Sequence, residues 1–411
     1  MTGDFLARAE DTIRKCRTLA DCTDQPGVTT RTFLSPAMHK VHALVKEWME
    51  QAGLTVHVDA AGNIRGTLAG TSPTPCRLLI GSHLDTVPNA GAFDGILGVI
   101  IGLTITEMFA GRRPRNTIEI IGFSDEEGVR FGIPFIGSRA VAGSLTNEVM
   151  KSADARGVSL EEAIRAFGLD PGKVQEAEAH SDARGYVEFH IEQGPVLEQK
   201  KLPVGVVDAI VGQSRREIIF EGQASHAGTT PMSMRSDALA GAAEWIGVVE
   251  REARTIPDLV ATVGKLDVQP GAGNVIPGSA LASLDVRHKE NSIRSKFTEE
   301  VIRFANDIAK RRKLGVTIRP TLDQPSVSMD RKLTDLLAKE VESAGFPAMK
   351  MASGAGHDAM VVAEKIPSTM LFLRSPGGIS HHPDETVLAT DVAVALEIGS
   401  KFVRDWDAQF S

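Results

Sequence analysis

Cys76-Arg-Leu-Leu-Ile-Gly-Ser-His83-Leu-Asp85, then Phe93-Asp94-Gly95, then Ile96-Leu-Gly-Val-Ile-Ile-Gly-Leu103, then Thr117-Ile-Glu-Ile-Ile-Gly-Phe123 is the stretch that decides the fold. Its first apolar run is short and bounded by turn residues, which reads as a buried strand. The run from Ile96 to Ala110 reads as a helix, and Thr117 to Phe123 as a second strand. Strand, helix, strand in that order predicts an α/β unit with a largely parallel sheet. Tyr186-Val-Glu-Phe-His-Ile191 and Pro367 to Leu373 read as further strands.

Outward from this unit, residues 4–22 and 36–53 carry helical periodicity; Val41, Leu44, Val45, Trp48 and Met49 share one face and Gly53 ends the second helix. Leu54 to Asp59 alternates like a strand, and Ala61-Gly-Asn-Ile64 has turn chemistry. Residues 212–327 differ in pattern. A strand (Glu217 to Gly222), a helix (235–253), two strands (Leu259 to Val268, Ala280 to Val286), a helix (292–312) and a strand (Gly315 to Arg319) follow in turn. The order β-α-β-β-α-β is that of the ferredoxin-like split unit. The expected organisation is a first domain formed by 1–211 and 328–411, interrupted by a second at 212–327; a helix from Arg331 to Ala344 marks the return.

A chain of 411 residues suits two cores better than one. The net charge of −8 argues against a nucleic-acid or anionic-membrane surface. Three cysteines, Cys16, Cys22 and Cys76, with no C-x-x-C pair, favour neither a disulfide framework nor a zinc knuckle and fit a reducing cytoplasm. Charges interrupt the first residues, so no secretory core forms, and no apolar run is long enough for a bilayer span.

Five clusters carry chemistry. His83 follows an apolar strand, with Asp85 two residues on and on the same side of an extended backbone, where a carboxylate can hold a ring N–H. The plain alternative is a histidine satisfied by a local hydrogen bond. Asp94 precedes a helix and reads equally well as its N-cap. Asp125-Glu126-Glu127 ends a strand; three adjacent acids often form a solvated turn, but at the carboxyl end of a sheet strand they stand where α/β proteins build sites. There one carboxylate can bind metal while its neighbour takes a proton from water. His190 ends another strand, and His381-His382 lie in a Gly-rich loop after a third. Three histidines and two carboxylates without thiolate suit Zn²⁺ or Mn²⁺ at a hydrolytic centre. Gly271-Ala-Gly273-Asn-Val-Ile276 only mimics a dinucleotide fingerprint: its third glycine is misplaced and no helix follows.

With these residues the sequence resembles the amidase/hydantoinase/carbamoylase family of two-metal hydrolases, a branch of the superfamily of aminoacylases and dimeric two-zinc exopeptidases. The motifs are Gly81-Ser-His-Leu-Asp-Thr-Val87, Phe93-Asp-Gly95, Asp125-Glu-Glu-Gly128, His190-Ile-Glu-Gln-Gly194, Ser225-His-Ala-Gly-Thr-Thr-Pro-Met232, Gly273-Asn-Val-Ile-Pro-Gly278, Asp285-Val-Arg-His288, Ser353-Gly-Ala-Gly-His-Asp358 and Gly378-Ile-Ser-His-His-Pro-Asp-Glu385. The resemblance implies an exopeptidase-like catalytic domain plus a ferredoxin-like dimerisation and lid domain. It implies two divalent ions per subunit, with His83, Asp94, Glu127, His190 and His381 as ligands, Asp94 shared between the ions and Glu126 as general base. The Ser-His-x-Pro pattern selects His381 over His382. Histidine at 190, where the exopeptidase branch has a carboxylate, points to the carbamoylase branch.

The resemblance further implies that His226 reaches the active site of the partner protomer in a homodimer, and that Gln213, Asn274 and Arg287 hold a substrate carboxylate, a task suited to a guanidinium. His357, with the loop 354–356, is expected to line the pocket. The implied reaction is hydrolysis of the ureido C–N bond of a small anionic substrate, releasing ammonia and carbon dioxide, with allantoate favoured. N-carbamoyl-L-amino acids and 3-ureidopropionate are the alternatives. Rivals from other classes are a dizinc dipeptidase or aminoacylase, and a binding module that has lost the chemistry.

Overall fold

The structure, a computed structural model, describes residues 3–109 and 113–409. They form two compact units, one of residues 1–208 and 329–411 and the other of 209–328. Among the described residues no helix is long and apolar enough to cross a membrane.

The first unit is built on a mixed, mostly parallel sheet. Its strands run in the order Thr55–Val58, Ile64–Leu68, Thr117–Phe123, Arg77–His83, Ala183–Ile191, Ser368–Leu373 and Val204–Ile210, with Lys350–Ser353 also on the last. The four middle strands, from Thr117–Phe123 to Ser368–Leu373, are mutually parallel; the flanking pairings are antiparallel. Every residue of Thr117–Phe123 is buried, as expected for a parallel strand covered on both faces.

Helix Ile96–Glu107 connects two of these strands and is buried from Ile96 through Thr106. A helix apolar all round belongs in a core rather than on its surface. Two glycines four residues apart let it lie against the sheet: a Cβ on Gly98 would stand 2.1 Å from the carbonyl oxygen of Phe189, and one on Gly102 would stand 2.9 Å from Ile80. The expected helix ran on to Ala110, which lies outside the described residues.

Connectivity places the site. The strand Arg77–His83 sends its helix out to Thr117–Phe123 on one side, and its other neighbour, Ala183–Ile191, leads away to Ser368–Leu373. The strand order therefore reverses between the first and third of these strands, and their carboxyl ends flank the crevice that such a switch point opens.

The second unit has a strand order of Leu266–Gln269, Ser279–His288, Gly212–Glu221 and Gly315–Gln324, antiparallel throughout, with Val260–Thr262 also on the second. Helices Ala238–Ala253 and Asn291–Arg312 supply Trp245, Val249, Phe297, Val301 and Ile308 to its core.

Several expectations need correction. The single strand expected from Leu259 to Val268 is two strands, interrupted at Val263-Gly264-Lys265. The turn at Ala61-Gly-Asn-Ile64 closes a hairpin whose second strand, Ile64–Leu68, was not expected. Asp94 does not cap the helix; Gly95 takes that position at φ +68°. Helices Ile136–Ala142, Leu160–Ala166 and Ala389–Gln409 were also unread. Ser159 and Glu162 form a capping box, a signal present in the sequence for the second of these.

Candidate metal centre

In register, Leu79 pairs with Tyr186 and Ile80 with Val187. Continued to the strand ends, that register sets His83 beside His190, and their Nε2 atoms are 3.5 Å apart. Each ring is held from behind: His83 Nδ1 is 3.0 Å from the Asp85 carbonyl oxygen and His190 Nδ1 is 2.9 Å from that of Ile191. A carbonyl oxygen only accepts, so each Nδ1 carries hydrogen and each Nε2 is turned forward, where the ring in its neutral form offers a lone pair.

Asp94 faces these lone pairs. Its Oδ1 lies 3.1 Å from His190 Nε2 and 3.7 Å from His83 Nε2, while its Oδ2 lies 3.2 Å from His381 Nε2. His381 is in turn 3.5 Å from Glu127. Two donor sets result, His83–Asp94–His190 and Asp94–Glu127–His381, each with its ligand atoms within 4.8 Å of one another; Glu126 joins His83 and Glu127 in a third. Asp94 Oδ1 is buried without a hydrogen bond. A carboxylate and imidazole lone pairs converging in a dry pocket require a positive charge among them, and the donor types fit a divalent cation.

The electrostatics agree. Burial alone would raise the Asp94 carboxyl, but His190, His381 and His83 hold it well below the usual range. Burial pushes Glu126 well above that range; His83 opposes, while Glu127, Asp358 and Asp85 add to the rise. Glu127 is pushed up to about 7, first by burial and then by Asp94 and Asp85, against His83 and His381. Glu126 is thus a buried carboxyl whose proton affinity is raised by burial and by the acids around it.

Asp85 faces the His83 ring with both its main-chain and its side-chain oxygen. The short contact to the His83 ring is from the Asp85 main-chain carbonyl, and its carboxylate stands farther away at 3.4 Å. That carboxylate accepts the backbone N–H groups of Glu126 at 2.9 Å and Glu127 at 3.2 Å, and so shapes the turn that carries both acids. His357 is buried, with its ring 4.4 Å from that of His190 and its Nε2 2.8 Å from Ser353 Oγ. His382 is exposed and its nearest charged partner is Asp384.

Two residues at the centre were missed. Glu385 accepts the backbone N–H groups of Phe93 and Asp94, both at 2.9 Å, tying the loop of His381 to the loop of Asp94. Gln193 donates to Asp94 Oδ2 at 3.0 Å and lies 3.4 Å from His381 Nε2. Gln193 and His381 both adopt left-handed backbone conformations, at φ +57° and +55°. Such strain in non-glycine residues concentrates at functional sites. No local sequence pattern marks either contact.

The remaining predicted residues lie in the second unit and form two pairs. Gln213 and Arg287 are register partners on adjacent strands, and Arg287 also binds Asp285 through Nε and Nη2, each at 3.0 Å. His226 pairs with Val275, next to Asn274. The exposed ring of His226 accepts the Gly228 N–H at Nδ1, 3.1 Å away, which leaves the neutral ring with its hydrogen on Nε2.

Comparison with known proteins shows the family. The family described as peptidase family M20/M25/M40 matches residues 79–405. The chain belongs to that family. It is 40% identical over 384 residues to an N-carbamoyl-L-amino acid amidohydrolase of Geobacillus stearothermophilus, covering 92% of this chain and 94% of the relative. It is 37% identical to allantoate deiminase 1 of Glycine max, covering 96% and 90%. A crystal structure of a hydantoinase/carbamoylase family amidase from Burkholderia multivorans superposes with a TM-score of 0.91 at 30% identity, over 97% of each chain. This M20 family member is a hydrolase acting on C–N bonds.

Proposed function

We propose that the chain is a two-metal amidohydrolase that cleaves the ureido C–N bond of a small carboxylate. The observation that supports this most directly is Asp94, whose carboxylate is shared by two donor sets with Glu126 adjoining them. His83, Asp94 and His190 would hold one divalent ion, zinc or manganese, and Asp94, Glu127 and His381 the other. Such ions supply charge that acidifies water and polarises a carbonyl.

The chain's own groups do the rest. Glu126 takes the proton of the attacking water and returns it to the leaving nitrogen. Asp85 fixes the Glu126–Glu127 turn, and Glu385 and Gln193 hold Asp94 in place. Arg287, Gln213 and Asn274 take the substrate carboxylate, and the outward Nε2–H of His226 donates to the developing oxyanion. In this proposal the second unit serves as dimerisation and lid domain, and His226 acts on the site of a partner copy. Loss of the carbamoyl group releases ammonia and carbon dioxide.

Relatives named for N-carbamoyl-L-amino acids and for allantoate both have a ureido group near a carboxylate in their named substrates. That shared chemistry defines the substrate class, with allantoate as the first member to test. Ammonia release from allantoate, N-carbamoyl-L-amino acids and 3-ureidopropionate, and amino-acid release from dipeptides, with zinc- and manganese-loaded protein, test the proposal. Turnover of dipeptides alone, or of nothing in the panel, overturns it.

A further inference from the structure

Arg31 is wholly buried, yet among the described residues no carboxylate forms an ion pair with it. Burial lowers its pKa to about 10, against the pull of Cys22, Asp85 and Asp24, so the guanidinium stays charged at neutral pH. A buried charge with no counter-charge is strongly unfavourable unless its hydrogen bonds offset the lost hydration.

Those bonds all go to main-chain oxygens. Nη1 donates to the carbonyls of Leu19 and Cys22 at 2.8 and 2.7 Å, at the C-terminal end of helix Gly3–Ala20, where a cation is favourable. Nε donates to the carbonyl of Leu84 at 2.7 Å. Nη2 is buried without a partner. Capping the helix accounts for Nη1 alone.

The main chain of Arg31 completes a bracket. Its N–H donates to Thr86 Oγ1 at 2.9 Å, and its carbonyl accepts the Thr86 N–H at 2.7 Å. Leu84 and Thr86 flank Asp85, so one residue grips the chain on both sides of it. Asp85 is where the centre's supports meet. Its carbonyl takes the His83 Nδ1–H, and its carboxylate takes the N–H groups of Glu126 and Glu127. The peptide plane whose oxygen Arg31 binds also contains the Asp85 nitrogen. Turning that plane turns Asp85, and with it the His83 ring and the turn that carries both acids.

The other end of the same strand supplies a contrast. Arg77, at the start of Arg77–His83, is also largely buried. It pairs with Glu119 at 2.7 Å and Asp182 at 3.0 Å, and its side-chain bonds reach no residue of the centre.

We propose that Arg31 is a positioning residue of the metal centre: by bracketing Asp85 it holds His83, Glu126 and Glu127 where they act. The inference rests on the two-metal reading for its consequence, while the bracket itself involves no ion.

Backbone amide exchange on metal-free, full-length protein tests the bracket. Arg31→Met should quicken exchange at Glu126 and Glu127 about tenfold, whereas Arg77→Met should leave those two amides near wild type whatever it does to overall stability. Zinc affinity by chelator competition is the second readout. Arg31→Met should bind zinc about 10–100-fold more weakly, and Arg77→Met as tightly as wild type. Arg31→Lys keeps the charge but offers a single nitrogen in place of the fork, so it should fall between, and it carries the test if the methionine variant does not fold. Exchange at Glu126 and Glu127 unchanged in the Arg31 variants, or quickened equally in Arg77→Met, would overturn the proposal, as would wild-type zinc affinity in the Arg31 variants. Wild-type protein that takes up no zinc would overturn the two-metal reading instead, and the exchange result would still decide the role of Arg31.

Discussion

Gly95 and Gly132 offer a paired experiment on how the centre is held. Both have φ +68°. A Cβ on Gly132 meets nothing within 4 Å, whereas one on Gly95 would lie 2.5 Å from three atoms of the His83 ring. Alanine at either position incurs a positive-φ backbone penalty, about 1–2 kcal/mol where the conformation is left-handed helical and more at Gly95, whose ψ of −56° and Ile96 N–H to Asp94 carbonyl bond make a strained γ-turn. At Gly95 the ring must also retreat by about an ångström to reach ordinary contact, adding about 1–3 kcal/mol of overpacking. That movement carries His83 Nε2 away from its position 3.5 Å from His190 Nε2. Displacing a ligand's support weakens metal affinity about 10–100-fold. The assay is metal content after dialysis against graded chelators, with urea unfolding of the same samples. Gly132→Ala should lose about 1–2 kcal/mol and keep its metal; Gly95→Ala should lose more stability and its metal as well. Equal metal retention in the two variants would refute the idea that Gly95 is kept side-chain-free to seat His83.

Glu126→Gln should retain metal by elemental analysis and lose turnover by about 10²–10⁴-fold; full activity would remove Glu126 as the base. His226→Ala should lose about 10²–10³-fold with metal content unchanged. Mixed with Glu126→Gln it should recover up to about a quarter of wild-type turnover through exchanged dimers, and no recovery in verified mixed dimers would end the shared-site proposal. His42 is buried against Phe167 with Nε2 unpartnered, and burial, then His39 and Arg31, lower its pKa from 6.5 to about 4. The unfolded chain therefore binds the extra proton between those values, so this contribution is complete above pH 6.5 and is lost as pH falls towards 4, by about 3 kcal/mol. His42→Leu should narrow the stability gap between pH 7 and pH 4 by that amount in urea titrations; an unchanged gap refutes the assignment. Glu119 sits buried between Arg65 and Arg77, at 2.5 and 2.7 Å. Glu119→Ala should destabilise the first unit by about 3 kcal/mol in denaturant unfolding because the buried Arg65 then keeps only the more distant carboxylate of Asp59, at 3.7 Å.

What could be read from the sequence followed from how local each signal is. The strand Thr117–Phe123 is announced by its own apolar run, and its observed bounds are those expected. The ligand candidates were legible because they sit just past such runs, and the sheet gathers His83, Asp94, Glu126, Glu127, His190 and His381. Asp94 was ambiguous because an acid before a helix usually caps it; a glycine able to take φ +68° let the chain turn and freed the carboxylate. Glu385 and Gln193 were illegible because their partners lie 292 and 99 residues away in sequence. No periodicity encodes a contact made only when two loops meet. The strand Val204–Ile210 borders Ser368–Leu373 through an antiparallel pairing that its own sequence does not announce.

The parallel pairing of Ala183–Ile191 with Ser368–Leu373 has a consequence for synthesis. Tyr186 must wait for Ser368, which at about 5–20 residues per second emerges some ten to thirty seconds later. Residues 209–328 make up most of that interval and form a compact unit with its own core. If this unit collapses first, it draws its two ends together and shortens the loop still to be closed. A nascent chain stalled before residue 368 should therefore bury Trp245 while leaving the edge of Ala183–Ile191 open to chaperones.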